Sequence, residues 1–423
     1  MTVGSERIVF GPFCLDLAAI RILKDGSELE LRPQAFRALL ALLRHSGHHL
    51  DYQQMIHHAW NGTVVSKHTV AVTVGEVKKA LGEYGAWIAY RPGFGYRLEI
   101  PKSDDLIRTG WHFWQFRTRE GFDKALACFQ QAALEEPTDS RAHQGIAATC
   151  LLLGTYGMWP PREAYPKFLE AHARAVALGG LTPEVRSDRG HGLHMFERKL
   201  HQAEAELIGA RQEDPKLATT HVRLAMLYGS LQRLDDALDA LAAGYSADPL
   251  WLALPATEVC IRYFRREHDC AIACAKRALE LHPYLQLGRI YYAQALESVG
   301  QTEEALRQYR LACVICPDVP WLQALEGACL ARNGHLTQAR GVLTELESVR
   351  QTEYVDAYYL ALLLDALGMR DEAFQTLERA LTENSTVLPI LDVDPKMDSL
   401  RRDPRFGCLR DKVFAANTAA VGV

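Results

Sequence analysis

Alanine recurs at intervals of 34 residues through the second half of this 423-residue chain. The recurring residues are Ala203, Ala237, Ala271, Ala305, Ala339 and Ala373. A proline follows each of the first four alanines after twelve residues. Small residues let two helices pack closely, and a proline ends one helix before the next begins. The interval therefore predicts a stack of two-helix repeats, each packed mainly against its neighbours.

Other positions keep the same register. Large apolar residues follow the alanine by four positions, at Leu207, Leu241, Tyr309, Leu343 and Leu377. Small residues follow it by seven positions, at Ala210, Gly244, Ala278, Ala312 and Ala380. The pattern is identified as the tetratricopeptide repeat, which implies an all-α solenoid over residues 104–385.

Clear repeats are predicted at about 106–139, 184–217, 218–251, 252–285, 286–319, 320–353 and 354–385. An irregular repeat is predicted at about 140–183, because residues 154–168 contain extra glycine and proline that lengthen a turn. Residues 386–423 are predicted to form a C-terminal cap and tail, which would cover the last apolar face of the solenoid.

Residues 1–101 follow a different pattern. Short alternating runs within 7–31, broken at 11–12 and 25–26, predict a small antiparallel sheet. Three helices are predicted after the sheet, the first within 32–50, the second over about 52–60 and the third over about 67–82. A hairpin is predicted within 87–100. The fold class is therefore multidomain, with a small α+β domain followed by an all-α solenoid.

Four stretches carry a family resemblance: LRPQAFRALLALL at 31–43, the predicted helix ending in Trp60, VVSKHTVAVTVGEVKKAL at 64–81 and GFGYRL at 93–98. They resemble the winged helix-turn-helix output domain of the OmpR/PhoB class, in the branch that includes CadC, ToxR and HilA. The resemblance covers about residues 7–100. It implies sequence-specific binding to double-stranded promoter DNA, favours transcriptional activation, and places the loop at 61–66 against RNA polymerase.

The third helix has one core-facing side, because Val70, Val74, Val77 and Leu81 recur at helical spacing. Its opposite side is the predicted DNA-binding face. The candidate DNA-binding residues are Lys67, His68, Thr69, Val72, Gly75, Glu76, Lys78 and Lys79 on the helix, with Arg91 and Arg97 on the hairpin. Lysine and arginine suit phosphates, and a valine suits a thymine methyl group. The helix alone also fits an ordinary solvated surface.

Two departures from the family pattern leave a second function open. Pro92 and Phe94 occupy hairpin-tip positions that are often basic in relatives, and Glu76 stands where the OmpR/PhoB group has arginine. The alternative is a non-catalytic protein-interaction scaffold whose winged helix has lost DNA binding.

Charge and hydropathy are consistent with a DNA-binding protein in the cytoplasm. Residues 1–101 contain 11 basic and 9 acidic side chains, whereas the whole chain has a net charge of -5. Positive charge favours phosphate binding. The apolar runs are shorter than the roughly 20 residues that a membrane helix needs, and no signal-peptide pattern begins the sequence. We therefore expect cytoplasmic localisation and no membrane partner.

The closely spaced cysteines and histidines are interpreted as structural residues and not as metal, redox or pH-sensing sites. The cysteine pairs Cys313–Cys316 and Cys270–Cys274 lie in second helices of repeats, and no second C-x-x-C completes a zinc set. The histidines at 45, 48, 49, 57 and 58, and those at 191 and 194, also fit ordinary structural positions.

No catalytic or phosphate-loop motif occurs, so we expect no enzyme, no metal site and no cofactor. The expected partner of the solenoid is a protein, a peptide or a small ligand, and a homodimer on DNA is left open.

Overall fold

The computed structural model describes residues 7–10, 13–17, 19–24, 27–100 and 103–415. The chain divides into two compact units. The first unit consists of Met1–Gly110 and Ala127–Asp139, and the second consists of Trp111–Leu126 and Ser140–Val423.

The first unit begins with a four-stranded antiparallel sheet in sequential order. Its strands are β1 (Arg7–Phe10), β2 (Phe13–Asp16), β3 (Arg21–Lys24) and β4 (Ser27–Leu29). Phe13, Leu15 and Ile22 are buried in the core beneath it. The small sheet agrees with the alternating sequence pattern. The interruptions between strands that were predicted at 11–12 and 25–26 lie outside the described residues.

Three helices and a hairpin complete the small domain. They are α1 (Pro33–Arg44), α2 (Tyr52–Trp60), α3 (Lys67–Leu81), β5 (Ile88–Arg91) and β6 (Gly95–Leu98). Pro33 occupies the first turn of α1, where its missing N–H leaves no helical hydrogen bond unmade. At the start of α2 the Asp51 carboxylate accepts from the Gln54 amide, and the Gln54 side chain accepts from the Asp51 amide. The predicted winged helix-turn-helix architecture is confirmed.

Helix pairs build the rest of the chain. They are α4 (Ser103–Trp114) with α5 (Arg119–Glu135), α6 (Ser140–Thr155) with α7 (Pro161–Gly179), α8 (Pro183–Gly192) with α9 (Leu200–Glu213), α10 (Ala218–Ser230) with α11 (Leu234–Ala247), α12 (Ala253–Phe264) with α13 (His268–Leu281), α14 (Gln286–Ser298) with α15 (Thr302–Ile315), α16 (Trp321–Arg332) with α17 (Leu336–Val349), and α18 (Ala357–Ala366) with α19 (Arg370–Glu383). The all-α solenoid is confirmed.

The 34-residue interval is visible in the coordinates. The second helices begin at Leu200, Leu234, His268, Thr302, Leu336 and Arg370. The six recurring alanines have no exposed surface. Two residues before each of these helices, the backbone is left-handed, at Arg198, Gln232, Arg266, Gly300, Gly334 and Gly368. The chain thus reverses through the same backbone turn in every regular repeat, whether or not a glycine occupies it.

The C-terminal segment does more than the cap expected from its sequence. It contains 3-10 helices at Leu388–Ile390 and Pro395–Met397, then α20 (Asp398–Arg401) and α21 (Arg405–Val413). Helix α21 covers the last repeat by burying Phe406, Leu409 and Val413.

The part before α21 also reaches earlier repeats. Arg198 donates to the Asn384 side chain at 2.7 Å, and Arg266 donates to Asp398 at 2.7 Å. The Thr386 hydroxyl donates to the Thr155 carbonyl at 3.3 Å. These contacts tie the C-terminal end of the second unit to three earlier repeats. In the part of the chain that the structure describes, no helix is both long and apolar enough to cross a membrane.

Candidate nucleic-acid interface

Helix α3 is held with one face in the core of the first unit. The Ser66 hydroxyl caps its N-terminus by accepting a hydrogen bond from the Thr69 amide at 3.0 Å. The predicted core residues Val70, Val74, Val77 and Leu81 are all buried. Thr73 is buried as well, which the sequence pattern did not predict. Its hydroxyl donates to the Thr69 carbonyl at 2.9 Å, so the side chain is accommodated without a distant partner.

The opposite face of α3 is exposed. His68, Thr69, Val72, Gly75 and Lys79 all lie on it. The Val72 side chain is 45% exposed, which is high for an aliphatic residue in a folded domain. A Cβ added at Gly75 would meet nothing within 4 Å, so packing within the domain does not require glycine there. The face therefore lets another molecule approach the helix backbone closely.

Glu76 forms an ion pair on this face with Arg32, a residue that the sequence pattern did not single out. Arg32, which precedes α1, donates from Nε to Glu76 Oε2 at 3.0 Å, and its Nη2 donates to the other carboxylate oxygen. The Arg32 side chain is 71% exposed and that of Glu76 is 30% exposed. The positive charge of Arg32 offsets the one acidic charge among the predicted α3 site residues.

Basic side chains stand at both ends of the exposed face. Lys67 begins α3, and its Nζ lies 5.8 Å from the centre of the Tyr52 ring. Lys78 and Lys79 lie in the last turn, where Lys79 is exposed and Lys78 is half-buried. The arrangement places cations beside the exposed face, as phosphate contacts require.

The β5–β6 hairpin is fixed to the connection between α1 and α2. Leu50 and Tyr96 exchange backbone hydrogen bonds of 2.7 and 2.9 Å. Gly95 has φ +89°, and a Cβ there would lie 2.0 Å from the Leu50 carbonyl oxygen. Only glycine satisfies both the backbone angle and this close approach. The hairpin is thus anchored directly beside the helix-turn-helix.

The two hairpin arginines differ in availability. The Arg91 guanidinium lies 4.4 Å from the centre of the Phe94 ring, and Arg91 is exposed. Arg97 instead donates to Glu99 and has a side chain only 33% exposed. Tyr90 and Phe94 are exposed by 58% and 52%. The hairpin surface is therefore aromatic, and Arg91, unlike Arg97, forms no ion pair with a described carboxylate, a difference that the sequence did not reveal.

The turn between α2 and α3 is short and begins with two residues in the left-handed backbone region. Asn61 and Gly62 have φ values of 50° and 80°. Val64, in the loop predicted to touch RNA polymerase, is 86% exposed. A single exposed valine is ordinary on a protein surface, so the contact with RNA polymerase stays a prediction.

The cysteine and histidine clusters do not form a competing site in the described ranges. Cys313 and Cys316 are free thiols, and burial raises the pKa of each to about 12. A thiol with so high a pKa is a weak nucleophile at neutral pH. Across residues 7–415, excluding the short undescribed gaps, no group of three His, Cys, Asp or Glu side chains is placed to hold a metal ion.

Residues 26–98 match the family described as transcriptional regulatory protein, C terminal. The transcriptional activator CadC of Escherichia coli strain K12 is 29% identical over 85 residues, which are 19% of this chain and 17% of CadC. The transcriptional regulatory protein CutR of Streptomyces coelicolor is 33% identical over 85 residues, which are 20% of this chain and 39% of CutR. The similarity spans less than half of either relative, and the family match at residues 26–98 lies within the winged-helix domain.

A solved structure resembles most of the chain in its fold. The human IFIT1 dimer with m7Gppp-AAAA is 15% identical, has a TM-score of 0.51, and is matched over 84% of this chain and 90% of that one. At this identity the similarity concerns the fold alone. The chain therefore combines a winged-helix domain of the transcriptional regulatory type with a tetratricopeptide-repeat solenoid.

Proposed function

We propose that this protein is a sequence-specific DNA-binding transcriptional regulator and that the exposed face of α3 enters the major groove. The observation that carries the proposal is the exposed surface at Val72 and Gly75, which has no packing role inside the domain. The match of residues 26–98 to transcriptional regulatory proteins supports it.

The candidate residues divide into two roles. Those suited to phosphates are Lys67, Lys78, Lys79, Arg91 and Arg97, because their charge attracts the backbone irrespective of sequence. Those suited to base edges are His68, Thr69, Val72, Gly75 and Glu76. In the second group Val72 offers a methyl surface to thymine, and Glu76 can accept from cytosine N4. The phosphate contacts set affinity, and the base contacts set the preferred sequence.

The remaining parts supply regulation. The match to CadC, which is described as an activator, supports activation. The resemblance to the OmpR/PhoB class supports a contact of RNA polymerase with the α2–α3 loop, in which Val64 is exposed. The solenoid receives the signal by binding a protein, a peptide or a small ligand in its concave groove. We assign no catalytic step and no cofactor to the chain, and a homodimer on DNA would require two adjacent half-sites.

Selection from a random duplex library by the full-length protein tests the proposal, because it needs no knowledge of the target. We expect enrichment of a short common sequence after several rounds. Recovery of unrelated sequences at low salt would indicate non-specific binding only and would contradict sequence-specific regulation.

The scaffold alternative has one observation in its favour, namely the exposed aromatic pair Tyr90 and Phe94 on the hairpin. Exposed aromatic side chains are common at protein interfaces. Failure of the protein to bind any duplex at low salt would favour the scaffold, provided that circular dichroism shows a helical spectrum and a cooperative thermal unfolding transition.

A further inference from the structure

The second unit contains a partly open cavity of about 420 Å³. Its walls come from the first helices of successive repeats, from the turn between α4 and α5, and from the C-terminal segment at Thr386–Ile390. A volume of this size lies within the range of sites for small organic ligands. It is lined by residues of the second unit alone.

Aromatic side chains dominate the walls of this repeat cavity. Trp321 and Tyr359 are stacked with ring centres 4.2 Å apart and planes 10° apart. Trp114 and Trp251 face the cavity from another side, with ring centres 6.4 Å apart. Tyr156 joins them in the lining. Such walls favour a ligand with a planar ring, which can stack on them at little entropic cost.

The charges around the cavity are positive. Among its described lining residues there is no aspartate or glutamate, whereas Arg117 and Arg223 both line it. Arg223 is neutralised by Asp188, a buried carboxylate behind the wall, and also donates to the Ser187 hydroxyl at 2.9 Å. The positive charge of Arg223 is therefore already compensated by a carboxylate of the protein itself.

Arg117 differs from Arg223 in this respect. Its guanidinium lies 3.6 Å from the centre of the Trp114 ring, and no described residue accepts a hydrogen bond from it. Burial lowers the pKa of Arg117 to about 10, so the group remains a cation at neutral pH in poorly hydrated surroundings. A cation in such surroundings favours an anionic ligand.

Further donors around the cavity also lack acceptors. Gln286 is only 6% exposed, and neither its Nε2 nor its Oε1 has a hydrogen-bond partner among the residues that the structure describes. The same holds for the indole Nε1 atoms of Trp114 and Trp251. Buried polar atoms are almost always paired, so this group calls for an acceptor-rich molecule with at least one donor.

We propose that the repeat cavity binds a small aromatic organic anion. Its acid group pairs with Arg117, its ring packs among Trp114, Trp251 and Tyr156, and its remaining polar atoms pair with the Gln286 amide. This inference goes beyond the proposed regulation of DNA and does not depend on it, because ligand binding is measured without DNA.

A panel of ring-bearing carboxylates, each beside its neutral primary amide, tests the proposal on the full-length protein. Indole-3-acetate with indole-3-acetamide and 1-naphthoate with 1-naphthamide belong to it. Binding is measured by saturation-transfer NMR and calorimetry. We expect carboxylates to bind and their amides to bind about tenfold more weakly, because only the acid pairs with the cation.

Two variants and one control locate the site. Arg117→Gln should abolish the preference for acid over amide, and Gln286→Leu should weaken both members of each pair. Arg174→Gln removes an exposed arginine that does not line the cavity and should change neither. The circular dichroism spectrum and thermal transition show that each variant is folded. If Arg117→Gln does not fold, Gln286→Leu still tests the site.

Three results would overturn the proposal. They are equal binding of acids and amides, binding that persists unchanged in both cavity variants, and no binding by any panel member at about 1 mM, a concentration that detects even weak sites. Binding of peptides but not of the aromatic acids would also overturn it in favour of a peptide groove. None of these outcomes bears on whether α3 binds DNA.

Discussion

Arg32 and Glu76 form an ion pair between the residue before α1 and the exposed face of α3, with Nε and Oε2 3.0 Å apart. The pair is exposed, so its contribution to the free energy of unfolding is about 0–1 kcal/mol. Its importance for the proposed interface is electrostatic. Without Arg32, the Glu76 carboxylate would present an uncompensated negative charge to the phosphate backbone.

Substitution of Arg32 should therefore weaken DNA binding more than it weakens the fold. We expect Arg32→Ala to lower affinity for a selected duplex, and Glu76→Gln to reduce that loss when the two are combined. The measurement is a double-mutant cycle of duplex affinity beside the thermal midpoint of each variant. Additive effects of the two substitutions would show that the pair does not act as a unit at the interface.

Gly75 offers a sharper separation of folding from binding. Gly75→Leu places a side chain where the domain has free space and replaces glycine in a helix, which favours the helix by about 1 kcal/mol. The variant should keep or raise its thermal midpoint but lose specific DNA binding, because leucine keeps the backbone away from the groove.

The control for this prediction is Gly341→Leu, since Gly341 is also in a helix with no atom within 4 Å of an added Cβ. It should stabilise its helix similarly and leave duplex affinity unchanged. Retention of full affinity by Gly75→Leu would mean that α3 does not approach DNA through this face.

A buried ion cluster should control the stability of the second unit. Lys396 of the C-terminal segment and Arg332 both donate to Glu297, the latter at 2.8 Å, and the Lys396 and Glu297 side chains are 7% and 9% exposed. Burial alone would raise the pKa of Glu297, but Lys396 and Arg332 outweigh it and lower this pKa to about 2. Glu297 is thus held charged by its two partners.

Lys396→Met should reduce the free energy of unfolding by about 3–5 kcal/mol, because it leaves a buried charge without one of its partners. Lys412→Met breaks an exposed ion pair with Glu378, whose atoms lie 2.6 Å apart, and should hardly change the free energy of unfolding because solvent screens the pair. Denaturant unfolding measures both. Equal losses in the two variants would show that the C-terminal segment is not locked by Glu297.

Much of the fold was predictable because its determinants are periodic. The alanine interval matches the spacing of the second helices from Leu200 to Arg370, and the spacing of Val70, Val74 and Val77 identified the buried face of α3. Both signals are local in sequence. Contacts between distant residues leave no such period, so neither the Arg32–Glu76 pair, 44 residues apart, nor the path of the C-terminal segment was predicted.

The cavity could not be predicted from the sequence for the same reason. Arg117 and Gln286 belong to different repeats, and only the packing of the repeats brings both into the lining of one cavity. Sequence spacing could identify the repeats but not which of their polar side chains remain unpaired. The assignment of the exposed α3 residues to DNA contacts is still a prediction, because it rests on chemistry and exposure.

Acidification should destabilise the second unit through His194. This side chain has no exposed surface and lies with Nε2 2.8 Å from the Ser230 hydroxyl, and burial lowers its pKa to about 3. The unfolded chain binds a proton near pH 6.5, whereas the folded chain does so only near pH 3. Stability attributable to His194 is therefore complete above pH 6.5 and is lost as the pH falls towards 3.

The expected loss from this residue between pH 7.5 and 5.5 is about 1.4 kcal/mol. Denaturant unfolding of the wild type and of His194→Gln at both pH values isolates it, because other histidines contribute equally to the two proteins. The wild type should lose about 1.4 kcal/mol more than the variant. An equal loss in both would show that His194 is not buried neutral in the folded protein.

The most direct test of the central claim is the salt dependence of DNA binding by the full-length protein. Fluorescence anisotropy with a selected duplex would compare the wild type, Lys79→Ala and Lys216→Ala, which removes an equally exposed lysine from the second unit. We predict that wild-type affinity falls steeply with salt, that Lys79→Ala reduces the slope of log affinity against log salt by about 1, and that Lys216→Ala leaves it unchanged. No binding by the wild type at low salt, or equal effects of the two substitutions, would contradict DNA recognition by α3.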